Sequence, residues 1–327
     1  MTPFSRAGCT YQLRLNAFGR EVLLSSDNSR IAEILTDVFA SQYFAPKSSK
    51  EPEFTFYCST KCINGWDFGM DCAGAVFLCR ASGKKDLSFE RFLWTPTDFT
   101  YKGIFEANDD YSSLVDTTME LFATQFQHRF LERVLSQEPS MRLIHSASIA
   151  CHGRGALLIA NTKGGKSTLT LASVLDGMQF LSDDFSTIDI KQGLVYPFPR
   201  PLCLRKASCN LIPEFDSLCF GTTVDVRGET RFCMHPETIR PNALGDSSRI
   251  SHIIRLNSFS DRPEISPAPP ASIAVDCMKA DVFDHGHEAL DLIWQWSGLT
   301  DSATCLDLKA GDPATTAKLL RSVLEQD

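Results

Sequence analysis

Residues 156–172 read Ala156-Leu157-Leu158-Ile159-Ala160-Asn161-Thr162-Lys163-Gly164-Gly165-Lys166-Ser167-Thr168-Leu169-Thr170-Leu171-Ala172. A short apolar run enters a glycine-bearing loop, and a helix is predicted to begin at Lys166-Ser167-Thr168. Strand, loop and helix in this order are the context that a Walker A phosphate loop requires. Glycines at 164 and 165 let successive main-chain N–H groups turn inward around phosphate oxygens, and the helix N-terminus adds partial positive charge. The expected nucleotide-binding residues are therefore Asn161, Thr162, Lys163, Gly164, Gly165, Lys166, Ser167 and Thr168. Lys166 is placed to reach the β- and γ-phosphates, and the Ser167 hydroxyl to ligate Mg²⁺. The first glycine of the pattern is replaced by Ala160, which adopts positive φ less cheaply. The competing interpretation is a glycine turn followed by a surface lysine.

A second element lies downstream, where Gly177-Met178-Gln179-Phe180-Leu181-Ser182-Asp183-Asp184 reads as a turn, a short strand and two adjacent acids. Paired carboxylates at a strand end, one helix after a phosphate loop, suit a divalent cation and a hydroxyl proton. Standing alone, Asp183-Asp184 would be as readily a turn or helix cap. His145 precedes Lys166 on an apolar strand, where a lone histidine is more often structural. His152 and the His285/His287 pair call for the same caution, since a metal site would need a third ligand that the sequence does not indicate. Between Phe198 and Lys206 stand three cations, Arg200, Arg205 and Lys206. Arg200, flanked by prolines that fix its backbone, is the one expected to act, on transferring phosphoryl charge or on an acidic substrate. The stretch Asp225 to Arg231 is a further glycine turn with two arginines.

The remainder of the chain bounds the class. It has 327 residues, 43% hydrophobic and 22% charged, which suggests two modules of a globular protein. Acids outnumber Lys and Arg by 40 to 32, so no nucleic-acid surface is expected. The N-terminus has no apolar signal core, and no apolar run approaches the roughly 20 residues of a membrane span. The 12 cysteines include no C-x-x-C pair and sit mostly among apolar neighbours, as reduced thiols do in a cytoplasmic protein. Residues 1–138 read as a small α+β module. A hairpin turns at Phe18-Gly19, and a helix capped by Asp27 or Asn28 carries Ile31, Ile34, Leu35, Val38 and Phe39. Strands follow near Phe54–Cys58, Gly74–Cys79 and Phe89–Trp94, then a long helix from Ser112 to Leu135. Pro139 marks the boundary. Beyond it come strands at Leu143–Ala150 and Gly155–Ala160, a surface loop at Ser258–Pro270, a strand at Cys305–Leu308 and a final helix capped at Asp312-Pro313.

Taken together, His145, the loop ending Gly165-Lys166-Ser167, and Asp183-Asp184 resemble the HPr kinase/phosphorylase catalytic domain in order and spacing. The likeness covers roughly residues 140–215 and extends loosely to the C-terminus. Within that superfamily the chain looks like the stand-alone HPr kinase-related proteins, some of which accompany peptide natural-product biosynthesis. The resemblance implies an α/β fold: a P-loop kinase domain of the phosphoenolpyruvate-carboxykinase-like type over 139–327, preceded by the α+β module at 1–138. It implies ATP and Mg²⁺ as cofactors, Lys166 on the phosphates, and Ser167 and Asp184 on the metal. Asp183 would take the proton of the attacking hydroxyl, and His145 would hydrogen-bond the acid pair. The family's signature stretch after the acids has no match between Tyr196 and Lys206, so phosphorolysis, hexamers and HPr as substrate are not implied. The expected activity is transfer of a γ-phosphoryl group to a hydroxyl, chiefly serine, of a peptide or protein, including a ribosomal natural-product precursor. The alternatives are a small-molecule kinase of the same fold and a non-catalytic nucleotide-binding regulatory module. Oligomeric state is left open.

Overall fold

A computed structural model describes residues 11–18, 20–26, 29–39, 52–59, 76–81, 91–95, 100–105, 115–116, 130–131, 134–135, 138–161, 163–198, 200–219, 221–224, 230–282 and 289–326. The chain divides into two compact units, Met1–Val134 and Leu135–Asp327.

In the first unit, β1 (Tyr11–Ala17) and β2 (Arg20–Ser26) pair antiparallel across a turn at Phe18, whose φ is 53°. Helix α1 (Ser29–Phe39) leads to β3 (Phe54–Ser59), which lies parallel to β2. The residues expected to cap α1 lie outside the described residues. Four antiparallel additions follow: β4 (Val76–Ala81), β5 (Arg91–Thr95), β6 (Thr100–Phe105) and β7 (Val115–Asp116). The long helix expected from Ser112 does not start there. Val115 and Asp116 pair with Tyr101 and Thr100, and strand pairing overrides the helical spacing of the apolar residues. Further along that stretch Phe130, Leu131, Val134 and Leu135 are helical. The Phe130 ring centroid lies 4.7 Å from that of Phe39 and 5.3 Å from that of Phe56, so aromatic packing fills this core.

The second unit holds a mixed nine-stranded sheet. Its main path runs β11 (Gln179–Ser182), β9 (Ala147–Cys151), β10 (Arg154–Ile159), β17 (Ser248–Phe259), β13 (Leu194–Tyr196), β12 (Ser186–Asp189), β8 (Met141–Ile144). Strand β19 (Thr304–Ala310) joins β17 in parallel, and β18 (Glu264–Pro267) pairs with β19. One strand was expected over Leu143–Ala150. The structure breaks it at His145-Ser146, so that β8 and β9 lie on opposite sides of β17. The Ser258–Pro270 segment is likewise not a loop throughout. It contains the end of β17, the short β18 and the start of a helix, because an edge strand tolerates prolines that cannot donate to a ladder.

Strand β10 organises the unit. Leu157 and Ile159 join a core with Ile273, Cys277, Trp296 and Leu299, contributed by helices α6 (Pro270–Ala280) and α7 (Ala289–Ser302). Successive strand side chains point to opposite faces, so the equally buried Ala156 and Leu158 must be covered from the other side. Each such leucine stabilises the fold by about 1.5–3 kcal/mol. Helix α2 (Lys166–Leu175) follows β10 and packs on β9, with α8 (Pro313–Gln326) alongside it. Asp312 caps α8 through its carboxylate, which accepts from the Thr315 N–H at 2.9 Å. A separate three-stranded sheet contains β14 (Leu202–Arg205), β16 (Thr230–Met234) and β15 (Gly221–Val224) in that order. Short helices α3 (Lys206–Cys209), α4 (Phe215–Leu218) and α5 (Pro236–Ile239) flank it. No described helix is long and apolar enough to cross a membrane.

Candidate functional site

Strands β10 and β11 both run antiparallel to β9, so their C-terminal ends leave the sheet at the same edge. That edge is where open α/β sheets commonly bind ligands. From β10 emerges the loop 160–165, and from β11 the acids Asp183 and Asp184.

The loop is shaped by two left-handed residues, Lys163 at φ 68° and Gly165 at φ 88°. Among the described residues Ala160 is not left-handed, so the alanine costs nothing in backbone energy. Instead it meets Gly164: a Cβ there would come within 2.7 Å of the Ala160 Cβ and 2.8 Å of the Asn161 carbonyl oxygen. The Gly164 N–H closes the turn on that same Asn161 oxygen at 2.9 Å. Gly165 is the N-cap of α2 and supplies no side-chain cap. The first N–H groups of the helix thus remain available to an anion, as helix starts in phosphate sites require. Thr162 lies outside the described residues. The exposed Phe259 ring stands over the loop, 3.2 Å from where a Gly165 Cβ would sit.

Lys166 is 7% exposed. Its ammonium donates to the Ala160 carbonyl at 3.1 Å and lies 3.4 Å from His145 Nε2. Burial lowers the Lys166 pKa below the usual lysine value. His145 is lowered too, first by burial and then by the Lys166 charge, and it hydrogen-bonds the backbone of Asp184. A histidine in this setting is neutral at pH 7. Ser167, in the first turn of α2, donates to Asp183 Oδ1 at 2.9 Å. Thr168 is buried in the same turn.

Asp183 is 1% exposed, whereas its neighbour Asp184 has a side chain 42% exposed. Burial, reinforced by the Asp184 charge, pushes the Asp183 carboxyl up to about 7. The contrast between neighbours comes from local geometry. Pairing of β11 with β9 shifts register between Phe180 and Ser182, and Asp184 is left-handed at φ 67°. Bulges of this kind re-aim side chains next to binding sites. Beneath the acids a buried hydroxyl chain holds the strand end, with Ser182 Oγ 2.7 Å from Ser148 Oγ and 3.0 Å from Ser186 Oγ. Arg200 reaches back to Asp184 at 3.5 Å, and its guanidinium lies 5.9 Å from the Phe185 ring centroid. The Phe185 ring in turn meets His145 edge-on at 5.8 Å.

Lys166, Ser167, Asp183, Asp184, His145 and Arg200 are therefore linked by contacts within one cluster. The oxygen donors of Ser167, Asp183 and Asp184 are those a small hard cation such as Mg²⁺ selects, and the buried Asp183 carboxyl lacks full charge compensation. These residues fit a divalent cation, which Ser167 and Asp184 would hold. Sequence reasoning missed Phe185, the serine chain and Phe259. An aromatic directly after the acids was a local signal for Phe185, whereas Phe259 reaches the loop only through the pairing of β17 with β10. His152 sits at the other end of β10. There it forms a group with Cys151 and Glu325, three ligand atoms within 4.8 Å, but the Glu325 carboxylate accepts from Arg321 at 2.8 Å. The His285/His287 pair lies outside the described residues, as does the turn of the 225–229 segment.

No family model and no curated protein matches this chain. Among solved structures, the Hpr(Ser) kinase/phosphatase from Coxiella burnetii is similar at 10% identity over 56% of this chain and 88% of that one, with a TM-score of 0.29. A likeness at that score decides neither fold nor chemistry. The fold stands as mixed α/β about a central mixed sheet.

Proposed function

We propose that the chain is an ATP- and Mg²⁺-dependent phosphotransferase that moves the γ-phosphoryl group to a hydroxyl, chiefly a serine of a peptide or protein. The observation that carries this is the 2.9 Å hydrogen bond from Ser167 to Asp183. It joins the first turn of a helix with uncapped N–H groups to a buried carboxyl on a neighbouring strand end. A phosphate-binding nest and a proton acceptor thereby share one edge of the sheet.

In this proposal the main-chain N–H groups around Gly164 and Gly165 bind the phosphates, and Lys166 exchanges the Ala160 carbonyl for phosphate oxygens. Ser167 and Asp184 would hold magnesium, whose charge would offset that of the phosphates. Asp183 accepts the proton as the acceptor oxygen attacks phosphorus, and a carboxyl resting near neutrality suits that role. Neutral His145 beside Lys166 adds no competing positive charge. Arg200 keeps Asp184 oriented and lies ready to meet charge on the transferring group. Positioning and charge neutralisation supply most of the catalysis in phosphoryl transfer, so this small set suffices.

The test is incubation of the purified chain with labelled ATP and Mg²⁺, in parallel with peptide and metabolite pools, followed by mass spectrometry of the acceptors. Label on a peptide hydroxyl is expected. Label only in the metabolite pool would replace the acceptor class, and nucleotide binding without any transfer would reduce the chain to a binding module. Asp183→Asn should stop transfer while leaving nucleotide affinity within about threefold, since its role lies in the proton step.

A further inference from the structure

Cys203 on β14 and Cys233 on β16 are directly opposed in an antiparallel register. Their sulfurs lie 2.6 Å apart, inside the contact distance of two unbonded sulfur atoms. Among the described residues no other cysteine faces a cysteine across a strand pair. Cross-strand neighbours bring their Cβ atoms to about 4.5–5.5 Å, close to the span a disulfide bridges. Both side chains already point at one another, so closing the bond requires no strand movement. Both are free thiols, as are Cys151, Cys209, Cys219, Cys277 and Cys305.

We propose that Cys203 and Cys233 form a peroxide-oxidisable dithiol, closed to a disulfide by hydrogen peroxide and reopened by a dithiol reductant. The two sulfurs are not equivalent. With Cys203 as hydrogen-bond donor, Cys233 is held below the usual thiol range while Cys203 is raised well above it. The Arg200 and Arg231 guanidiniums also favour a Cys233 thiolate, and the thiolate is the nucleophile. Cys233 sulfur attacks one peroxide oxygen, the O–O bond breaks, and water leaves with the thiol proton, giving a sulfenic acid. Cys203 sulfur then attacks Cys233 sulfur, the S–O bond breaks, and a second water leaves with the Cys203 proton. Two thiols and one peroxide become one disulfide and two waters: sulfur is oxidised and the peroxide oxygens reduced. Peroxide fits as oxidant because it is little larger than water and so reaches the buried Cys233 sulfur, while the half-buried Cys203 gives a dithiol reductant access to the closed bond.

The dithiol is independent of the phosphotransfer proposal, because its test follows sulfur and not turnover. The full-length chain is reduced, freed of reductant and treated with one equivalent of hydrogen peroxide. Remaining thiols are alkylated, and the protein is digested without reduction for mass spectrometry. The expected product is a peptide pair joined through Cys203 and Cys233, two hydrogens lighter than its parts and separated again by dithiothreitol. It should form at least roughly tenfold faster than oxidation at Cys151, Cys277 or Cys305, whose thiols burial holds above the usual range. In Cys203→Ser, the reaction should halt at a sulfenic acid on Cys233 that dimedone traps. Recovery of both cysteines alkylated after peroxide, or a cross-link joining either one to a different cysteine, overturns the proposal. The wild-type digest decides the matter even if the serine variant does not fold.

Discussion

Replacing Asp183 with asparagine removes a charge that the ligand-free fold holds at a cost, so the variant should be more stable than the wild type at neutral pH. The Asp183 carboxyl rests at about 7 in the folded chain, against 3.8 for the same group in water. Each pH unit between those values is worth about 1.4 kcal/mol. Below pH ~4 the group is protonated whether folded or unfolded and contributes nothing. As pH rises from ~4 to ~7 the unfolded chain loses its proton first, which stabilises the unfolded state. Above ~7 the full penalty of about 4 kcal/mol is present, a ceiling that counter-ions or entering water reduce. Asparagine is isosteric, keeps an oxygen for the Ser167 hydroxyl, and has no charge to desolvate. Differential scanning calorimetry in a metal chelator, without nucleotide, from pH 4 to pH 8 reads the difference. The transition of the C-terminal unit should rise by at least ~5 °C at pH 8 in Asp183→Asn, and the gap should close towards pH 4. An asparagine variant that melts at or below the wild type at pH 8, or a gap independent of pH, would refute the claim that Asp183 carries an undercompensated buried charge.

Further outcomes follow from the same geometry. Lys166→Ala should weaken ATP binding by roughly 10- to 100-fold in equilibrium dialysis or calorimetry, the value of a charge-assisted hydrogen bond to phosphate. Gly164→Ala should abolish measurable nucleotide binding while the melting temperature falls only modestly. The added methyl meets the Ala160 Cβ and the Asn161 carbonyl, both within the loop and not in the core. Arg200→Ala should lower turnover by about 100-fold with stability nearly unchanged; full turnover would remove it from the site. Arg255 donates to Asp307 at 2.7 Å and to Asp276 at 2.6 Å, tying β17 to β19 and α6. Arg255→Met should therefore cost about 2–3 kcal/mol in urea unfolding, because two carboxylates lose their shared partner.

What the sequence made legible was local. The run from Ala156 to Ala172 showed its strand, loop and helix because hydrophobicity, glycine placement and the Lys-Ser-Thr start all lie within one short segment. Asp312-Pro313 announced its helix for the same reason, through a cap that reaches three residues. Legibility ended where contacts bridge distant segments. The approach of Arg200 to Asp184 depends on the path from β11 to β14, and Phe259 over Gly165 depends on the ladder between β10 and β17. The break at His145-Ser146 was hidden because residues on both sides are apolar, and periodicity does not reveal which neighbour a strand will choose. Composition misled at Ser258–Pro270, where prolines and serines occupy an edge strand, and at Val115-Asp116, where helical spacing gave way to pairing. Nor did spacing distinguish Cys203 and Cys233 from the other ten cysteines, since 30 residues separate them along the chain.

The register shift in β11 carries one more consequence. Asp183 and Asp184 are chemically identical neighbours, and the phase of the strand together with the left-handed backbone at Asp184 decides which is drawn inward and which is left to solvent. Removing a single residue between Gly177 and Ser182 would carry Asp184 into the buried place that Asp183 now holds, without altering either side chain. The contrast in burial between the two carboxylates is thus written in how the backbone is counted out, and a comparison that tracks only the presence of the pair would overlook a shift in it.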